Sequence, residues 1–156
     1  MQQSYEKLIN SEEFKHNGFL CSFFFMSDME KPEDKVWQID FYNKEADKIT
    51  SYIMDKEIKV NENSEAFKKP ETKIEELNIN EVKTSFDEAY KKSKNILESK
   101  AEEPEKIIAL LQKQKVPVWN ISFITKKFNI LNVRINAANG NIMEEKLISL
   151  LSFKEG

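Results

Sequence analysis

The sequence predicts an α+β fold in which helices pack on one face of an antiparallel sheet, in a cystatin-like arrangement. Three observations predict it: apolar and polar residues alternate over several short runs, turn residues separate those runs, and one stretch has helical spacing. A period of two residues is typical of a strand with one buried face, whereas spacings of three and four are typical of an amphipathic helix. With 156 residues, 40% of them hydrophobic, the chain is long enough to bury a substantial core.

The N-terminal part, residues 1–60, is predicted to form a short helix and a three-stranded unit. Apolar residues at helical spacing favour a helix within residues 1–15. Aromatic or alternating runs then predict three strands, with residues 57–60 extending or kinking the last: residues 19–27, 36–43 and 49–55. Residues 61–80, rich in Asn, Glu and Lys, are predicted to be a linker in which Phe67 anchors onto the sheet.

The C-terminal part, residues 81–156, is predicted to form a second helix and three more strands. Ser85 and Glu88 make a capping box for a helix that runs to about Ser99. Its apolar stripe consists of Val82, Phe86, Ala89, Tyr90, Ser93 and Leu97. Pro104 is well tolerated at a first helical position, so a further helix is predicted from there to Pro117. The strands are predicted at residues 118–125, 128–137 and 142–151.

A tight hairpin is predicted between the last two strands. The pair Asn139-Gly140 supplies the positive φ angles that a two-residue hairpin turn needs. The three strands around it therefore form a continuous antiparallel unit.

The two halves share a short pattern. The order Val, Trp, polar, Ile, polar, Phe begins at Val36 and again at Val118, which is 82 residues later. Chance competes with duplication, because any half-buried strand needs a similar pattern. A second comparison matches the three predicted strands of the N-terminal part, in order, with the three of the C-terminal part. We favour this match because it uses all six strands. The hypothesis is two tandem repeats, each a helix followed by three strands, within one domain.

The C-terminal half, from about residue 84 to residue 151, resembles the PepSY domain of peptidase propeptides. The resemblance rests on the helix start Ser85-Phe86-Asp87-Glu88-Ala89, the strand of residues 119–123 and the strand and turn of residues 133–142. Asn136 stands where that family usually has Asp, and Asn139 where it usually has Thr. The resemblance implies a helix lying across a curved antiparallel sheet. It also implies a non-catalytic role in holding or inhibiting a partner, often a peptidase.

Composition argues against nucleic acid and nucleotides as ligands. The 24 basic and 27 acidic residues give a net charge of −3, and Arg134 is the one arginine. Lysine lacks the planar fork with which arginine clamps phosphate or recognises guanine. Three glycines leave no phosphate-cradling loop. We therefore expect neither nucleic-acid binding nor a cofactor.

A cytoplasmic location without a membrane span is the expectation from the N-terminus and the single cysteine. The first 14 residues contain three Glu and lack a hydrophobic signal core. The longest apolar run, residues 19–26, is far shorter than the roughly 20 residues that cross a bilayer. A leader removed from the mature protein would overturn this expectation.

Two residue groups have side chains that could carry chemistry. A catalytic thiol–imidazole pair would need His16 and Cys21 within hydrogen-bonding reach. A surface histidine and a packed cysteine are favoured instead. One loop offers carboxylates for calcium, but it contains Pro32 and a solvated charged turn is favoured. Those carboxylates belong to Asp28, Glu30, Glu33 and Asp34. We therefore predict neither a metal site nor an enzyme.

The remaining candidates define a ligand or partner face: Asp40, Tyr42, Tyr52, Tyr90 and Arg134. Trp37 and Trp119 could stack on a ligand, but both lie on apolar strand faces, so a core position is favoured. The first hypothesis is a non-enzymatic module whose exposed sheet face or edge strand binds a protein or peptide and modulates a peptidase. The alternative is a small-molecule binder or simple hydrolase with a concave sheet pocket. A homodimer through an edge strand is compatible with both.

Overall fold

A computed structural model, which describes residues 1–29, 35–65 and 73–151, contains two helices and one eight-stranded antiparallel sheet. The predicted α+β class is confirmed. The helices are α1 (Gln2–Ile9) and α2 (Phe86–Ser99). The strands are β1 (Phe19–Asp28), β2 (Gln38–Asn43), β3 (Lys48–Met54), β4 (Ile58–Glu65), β5 (Pro104–Gln114), β6 (Val116–Thr125), β7 (Asn129–Asn136) and β8 (Ile142–Ser149).

The strand order is β4-β3-β2-β1-β5-β6-β7-β8, so two four-stranded meanders join through an antiparallel β1–β5 pair. Each half is a helix followed by four strands, and the prediction of three strands per half is wrong. Residues 58–65 form a separate strand, and residues 104–114 form another. The patterns that begin at Val36 and Val118 fall at β2 and β6, the second strand of each half. Duplication itself stays a prediction.

Strand β5 replaces the helix that we predicted from Pro104 to Pro117. Ile107, Ala109 and Leu111 are buried on the helix side, while Ile108 and Leu110 point to the other face. A run of five apolar residues fits a helix and a doubly apolar strand equally well. The sheet decides between them, because β1 and β6 flank this segment and satisfy its backbone on both sides. Proline is also tolerated at the first residue of a strand.

Part of the predicted linker is structured. Residues 61–65 belong to β4, and residues 73–81 form a strap that crosses the start of β1. The Leu77 amide donates to the Leu20 carbonyl at 2.8 Å, beside a bulge in β1, and the buried Leu77 side chain joins the core. The Glu75 carboxylate accepts from the Lys115 amide at 2.9 Å. The strap therefore ties the two halves together. Phe67 lies outside the described residues.

The core lies between the sheet and the two helices. Trp37 and Trp119 are both buried, as predicted, and their ring centroids are 6.1 Å apart. Phe86 of α2 lies 5.6 Å from each of them. The Trp119 indole donates to the Thr84 carbonyl at 2.9 Å, so burial leaves its N–H paired. Tyr5 of α1 covers Phe23 of β1 in the same layer.

Local signals fix the ends of several elements. The Ser85 hydroxyl accepts from the Glu88 amide at 3.1 Å, which confirms the predicted cap of α2. Gly18 has φ +80°, and a Cβ there would lie 2.1 Å from the Tyr42 carbonyl oxygen, so that position requires glycine.

The two-residue turn predicted at Asn139-Gly140 is wrong. Positive φ occurs at Gly140 and not at Asn139, and the Gly140 amide donates to Asn136 in a longer turn.

Candidate functional site

The face of the sheet away from the helices contains two rows of neighbouring side chains. Strand register places residues of β1, β5, β6, β7 and β8 directly opposite one another in each row. The first row is Phe24, Leu110, Asn120, Arg134 and Glu144, and the second is Met26, Ile108, Ser122, Asn132 and Lys146. We call these ten side chains the open face. In the described part of the chain, both helices pack against the opposite face.

The centre of the open face is apolar. Phe24, Met26, Ile108 and Leu110 form a two-by-two patch on the adjacent central strands β1 and β5. Met26 is 58% exposed, and the other three are only half-buried. Two central strands that are apolar on both faces are typical of a sheet covered on both sides. Here the described elements cover one side, so apolar surface is left in contact with solvent.

Beside this patch, the polar side chains hold one another in place. The Asn132 amide group donates to Asn120 and also to the Ser122 hydroxyl, the latter at 2.9 Å. The Arg134 guanidinium donates to the Gln114 side-chain oxygen at 2.6 Å and lies 3.4 Å from the Glu144 carboxylate. These contacts restrict the rotamers of four neighbouring polar groups before any ligand binds. That lowers the entropy cost of binding.

Asp40 and Arg134 both lie on the side of the open face, but they do not pair. Strands β1, β5 and β6 separate β2 from β7. The Asp40 carboxylate accepts instead from the Ser22 hydroxyl at 2.9 Å and from the Gln38 amide at 3.0 Å. Asp40 therefore belongs to a local network on the N-terminal half of the sheet.

The three candidate tyrosines lie in three different places. Tyr42 is buried beside Phe19, and its hydroxyl donates to Asp47. Tyr52 is buried on the helix side, where its hydroxyl accepts from the Lys15 amide at 3.0 Å. Tyr90 lies on α2 against Phe86 and Phe123. Burial raises the pKa of the hydroxyls of Tyr52 and Tyr90. The five candidate residues therefore do not line one pocket.

A groove of about 990 Å³ runs between the strap and the start of β1, with Tyr42 in its wall. Its lining includes three lysines and three glutamates: Lys44, Lys73, Lys113, Glu75, Glu76 and Glu81. One of these pairs is direct, since the Lys113 ammonium lies 3.5 Å from the Glu81 carboxylate. The mixed charge favours neither a cationic nor an anionic ligand.

Cys21 is a packing residue, as predicted. Its side chain is buried and donates to the Asp40 carbonyl at 3.3 Å. Burial, together with the nearby Asp40 charge, raises the pKa of the Cys21 thiol to about 12. At neutral pH the group is therefore a thiol and a poor nucleophile. His16 is exposed and makes an edge-to-face contact with Phe14, with ring centroids 4.3 Å apart.

The carboxylates considered for calcium are described only in part. Asp28 lies 3.8 Å from the Lys106 ammonium across the β1–β5 pair. Glu30, Glu33 and Asp34 lie outside the described residues. Within the described ranges, no group of three or more His, Cys, Asp and Glu side chains is placed to hold a metal ion.

The apolar patch of the open face was missing from the sequence-based candidates. Alternation along β1 correctly separated Phe24 and Met26 from Phe23 and Phe25, so half of the patch was visible in the sequence. Ile108 and Leu110 were hidden by the helix predicted over β5. The available signal was the apolar character of both faces of the first strand. An aromatic run with apolar residues on both faces needs a neighbour that is also apolar on both faces.

Comparison with known proteins shows a similarity in fold to one solved structure. No family model matches the chain, and no curated protein matches it significantly. A crystal structure described as a "putative lipoprotein" from Clostridium difficile 630 is similar with a TM-score of 0.57 and 13% sequence identity. The match covers 92% of this chain and 91% of that chain. The shared feature is therefore the whole α+β architecture.

That match contradicts the cytoplasmic location that we predicted. A lipoprotein is held at a membrane by a covalently attached lipid, and the neighbour's description therefore points to a location outside the cytoplasm. The composition of the first 14 residues, on which that expectation rested, does not by itself determine location. In the described part of the chain, neither helix has the length and apolar character needed to cross a bilayer.

Proposed function

We propose that this chain is a non-enzymatic interaction module that binds a protein or peptide partner on its open face. The partner class that we propose is a peptidase, whose activity the module modulates. We also propose that the module works outside the cytoplasm, as part of a lipid-anchored protein.

The observation on which the proposal rests is the apolar patch of Phe24, Met26, Ile108 and Leu110. Fold stability requires one apolar face on each strand, and the helix side already supplies it. A second contiguous apolar surface on the same strands is typical of a binding site. Phenylalanine and methionine are also enriched at the centres of protein interfaces, and the Met side chain adapts to differently shaped partners.

The polar side chains next to the patch match the rim of a protein interface. Asn120, Ser122, Asn132 and Arg134 are half-buried and oriented by their mutual contacts or by Gln114. Amide and guanidinium groups in this arrangement favour the backbone and carboxylate groups of a peptide. An apolar centre with a polar border is the common anatomy of such interfaces.

Two resemblances support the partner class and the location. The PepSY-like residues of the C-terminal half favour a peptidase, because that domain occurs in peptidase propeptides. The description of the structural neighbour as a lipoprotein supports a lipid-anchored location.

The alternative, a small-molecule binder or simple hydrolase, requires a pocket lined by Tyr42, Tyr52, Tyr90 or Arg134. Tyr52 packs on the helix side beside Phe14 and Phe41, and Tyr90 lies on α2 against Phe123. Arg134 lies on the other face. The geometry therefore favours the interaction module.

A displayed random-peptide library selected against the immobilised chain tests the binding face. The selected peptide is then titrated calorimetrically against the Met26→Ser/Leu110→Ser double variant and against Ile9→Ser. Ile9 is also an exposed apolar residue, but it lies at the end of α1. We expect the double variant to bind at least about tenfold more weakly, because interface anchors each contribute about 1–2 kcal/mol. The Ile9→Ser control should bind like the wild type.

Equal affinity of the double variant, with thermal unfolding showing a folded protein, would contradict the assignment of the open face. Repeated selections that return no binding peptide would contradict the function as a whole. The peptidase part is tested separately, with fluorogenic assays of a panel of serine, cysteine and metallopeptidases. Modulation should disappear in the double variant and persist in Ile9→Ser.

A further inference from the structure

We propose that β8 is a self-association surface, through which two copies of this chain pair antiparallel about Glu145. This inference is independent of the proposed function, because it uses the edge of the sheet and leaves the apolar patch of the open face available. The two copies would form one continuous sheet of sixteen strands.

The first argument is the exposed edge itself. Strand β8 is last in the sheet order, and within the described residues no strand pairs with its outer side. Unpaired strand edges present backbone donors and acceptors to another chain. Strand β8 is eight residues long, contains no proline and pairs with β7 in unbroken register from Glu144 to Ser149, with a bulge at Met143.

The second argument is the apolar surface on this strand. Ile142, Met143 and Leu147 are 46%, 46% and 42% exposed. Among the described residues, seven large hydrophobic side chains are exposed, and these three lie on one strand. Such a concentration at a sheet edge is typical of a strand that pairs with another chain.

The third argument is the register that the sequence of β8 allows. Two identical antiparallel strands related by a two-fold axis must have one residue opposite itself. With Glu145 at the axis, Glu144 of each copy lies opposite Lys146 of the other, and Met143 lies opposite Leu147. Opposite charges and apolar pairs across neighbouring strands are both stabilising.

The neighbouring registers place charged side chains opposite apolar ones. An axis at Lys146 sets Glu145 opposite Leu147 and Glu144 opposite Ile148. An axis at Glu144 sets Met143 opposite Glu145 and Ile142 opposite Lys146. Each of these mixes charged and apolar side chains, so the axis at Glu145 is the self-complementary one.

The like charges at that axis are already compensated. The Lys100 ammonium lies 3.6 Å from the Glu145 carboxylate, at the C-terminal end of α2. Two copies therefore bring together two Glu145–Lys100 pairs rather than two bare carboxylates. On the other face, the Glu144–Lys146 contacts between copies would replace the 3.5 Å contact within one strand.

Charged residues on an edge strand can also serve to prevent pairing. Charge reversal distinguishes prevention of pairing from the proposed pairing. A charge that prevents pairing repels or obstructs any approaching strand, whereas the proposed Glu144–Lys146 pairs form only in the register centred on Glu145. Sedimentation equilibrium of the full chain should show a monomer–dimer equilibrium. Lys146→Glu and Glu144→Lys should each raise the dimer dissociation constant at least about tenfold, since each variant puts two like-charged pairs in the interface.

An equimolar mixture of the two variants is the decisive sample. Lys146→Glu and Glu144→Lys chains together restore both opposite-charge pairs, so a heterodimer should form at concentrations where each variant alone is monomeric. Lys91→Glu makes the same charge reversal on the exposed side of α2 and should dimerise like the wild type. A monomeric wild type, variants that dimerise unchanged, or a mixture that stays monomeric would each overturn the proposal.

Crosslinking tests the same axis without reversing a charge. Residues directly opposite in an antiparallel pair have Cα atoms about 4.5–5.5 Å apart, which is within disulfide range. Glu145→Cys should therefore form a disulfide-linked dimer when oxidised with diamide, and Lys91→Cys should not. The native Cys21 is buried and should not react. Equal crosslinking of the two variants, or none in Glu145→Cys, would contradict the two-fold axis at Glu145.

Discussion

The two faces of the sheet use the same strands in different ways. On the helix side, Phe25, Ala109, Ile121 and Val133 form a row that is buried throughout. One residue away on each of these strands, the row on the open face starts apolar at Phe24 and Leu110 and becomes polar at Asn120 and Arg134.

The comparison distinguishes the side chains that stabilise the fold, on the helix side, from those that are available to bind a partner, on the open face. The helix-side row is continuous because α1, α2 and the sheet all bury apolar surface there. The apolar part of the open face has no equivalent cover among the described residues. Substitutions on the two faces should therefore act on different measurements: unfolding free energy for the helix side, and binding for the open face.

The largest contrast is expected at Trp119 and its neighbour Asn120. Trp119→Ala should lower the free energy of unfolding by about 3–5 kcal/mol, because it empties a fully buried site between Trp37 and Phe86 and leaves the Thr84 carbonyl unpaired. Asn120→Ala should cost less than about 1 kcal/mol. Urea unfolding followed by circular dichroism measures both. Similar losses in the two variants would remove the distinction between the faces.

Adjacent leucines on β5 sharpen the comparison within one strand. Leu111→Ala should cost about 2–5 kcal/mol, because Leu111 is fully buried on the helix side. Leu110→Ala should cost about 1 kcal/mol, since its side chain is only half-buried on the open face. Chemical denaturation gives both values. In a helix the two positions would differ by about 100° rather than 180°, so equal losses would favour the helix that we predicted.

The smallest effect is expected at Arg134. Its guanidinium contacts Glu144 and Gln114 in a half-exposed position, so Arg134→Ala should lower the unfolding free energy by less than about 1 kcal/mol. The ionic part of that loss should shrink when unfolding is repeated in 1 M NaCl, where the Debye length is about 3 Å. A loss comparable with that of Trp119→Ala would show that Arg134 stabilises the fold rather than the rim of a binding surface.

Much of the fold was accessible from local pattern. Alternation assigned Phe23 and Phe25 to one face of β1 and Phe24 and Met26 to the other. The capping box placed the start of α2, and the apolar stripe of that helix contains its buried residues Phe86, Ala89, Ser93 and Leu97. The site was accessible only in part. Arg134 and Asp40 lie on polar faces as predicted, but Tyr52 belongs to the core and Tyr90 packs against it.

The sequence by itself determined which face of each amphipathic element is buried, because burial of one face imposes a period that a short window reveals. It could not determine the state of residues 104–114, whose side chains are apolar in every direction, since no period distinguishes a helix from a strand there. That choice was made by the long-range pairing of β5 with β1 and β6. The same pairing brought Ile108 and Leu110 beside Phe24 and Met26. Only the tertiary structure could therefore show that this apolar patch exists, and that the described helices leave it uncovered.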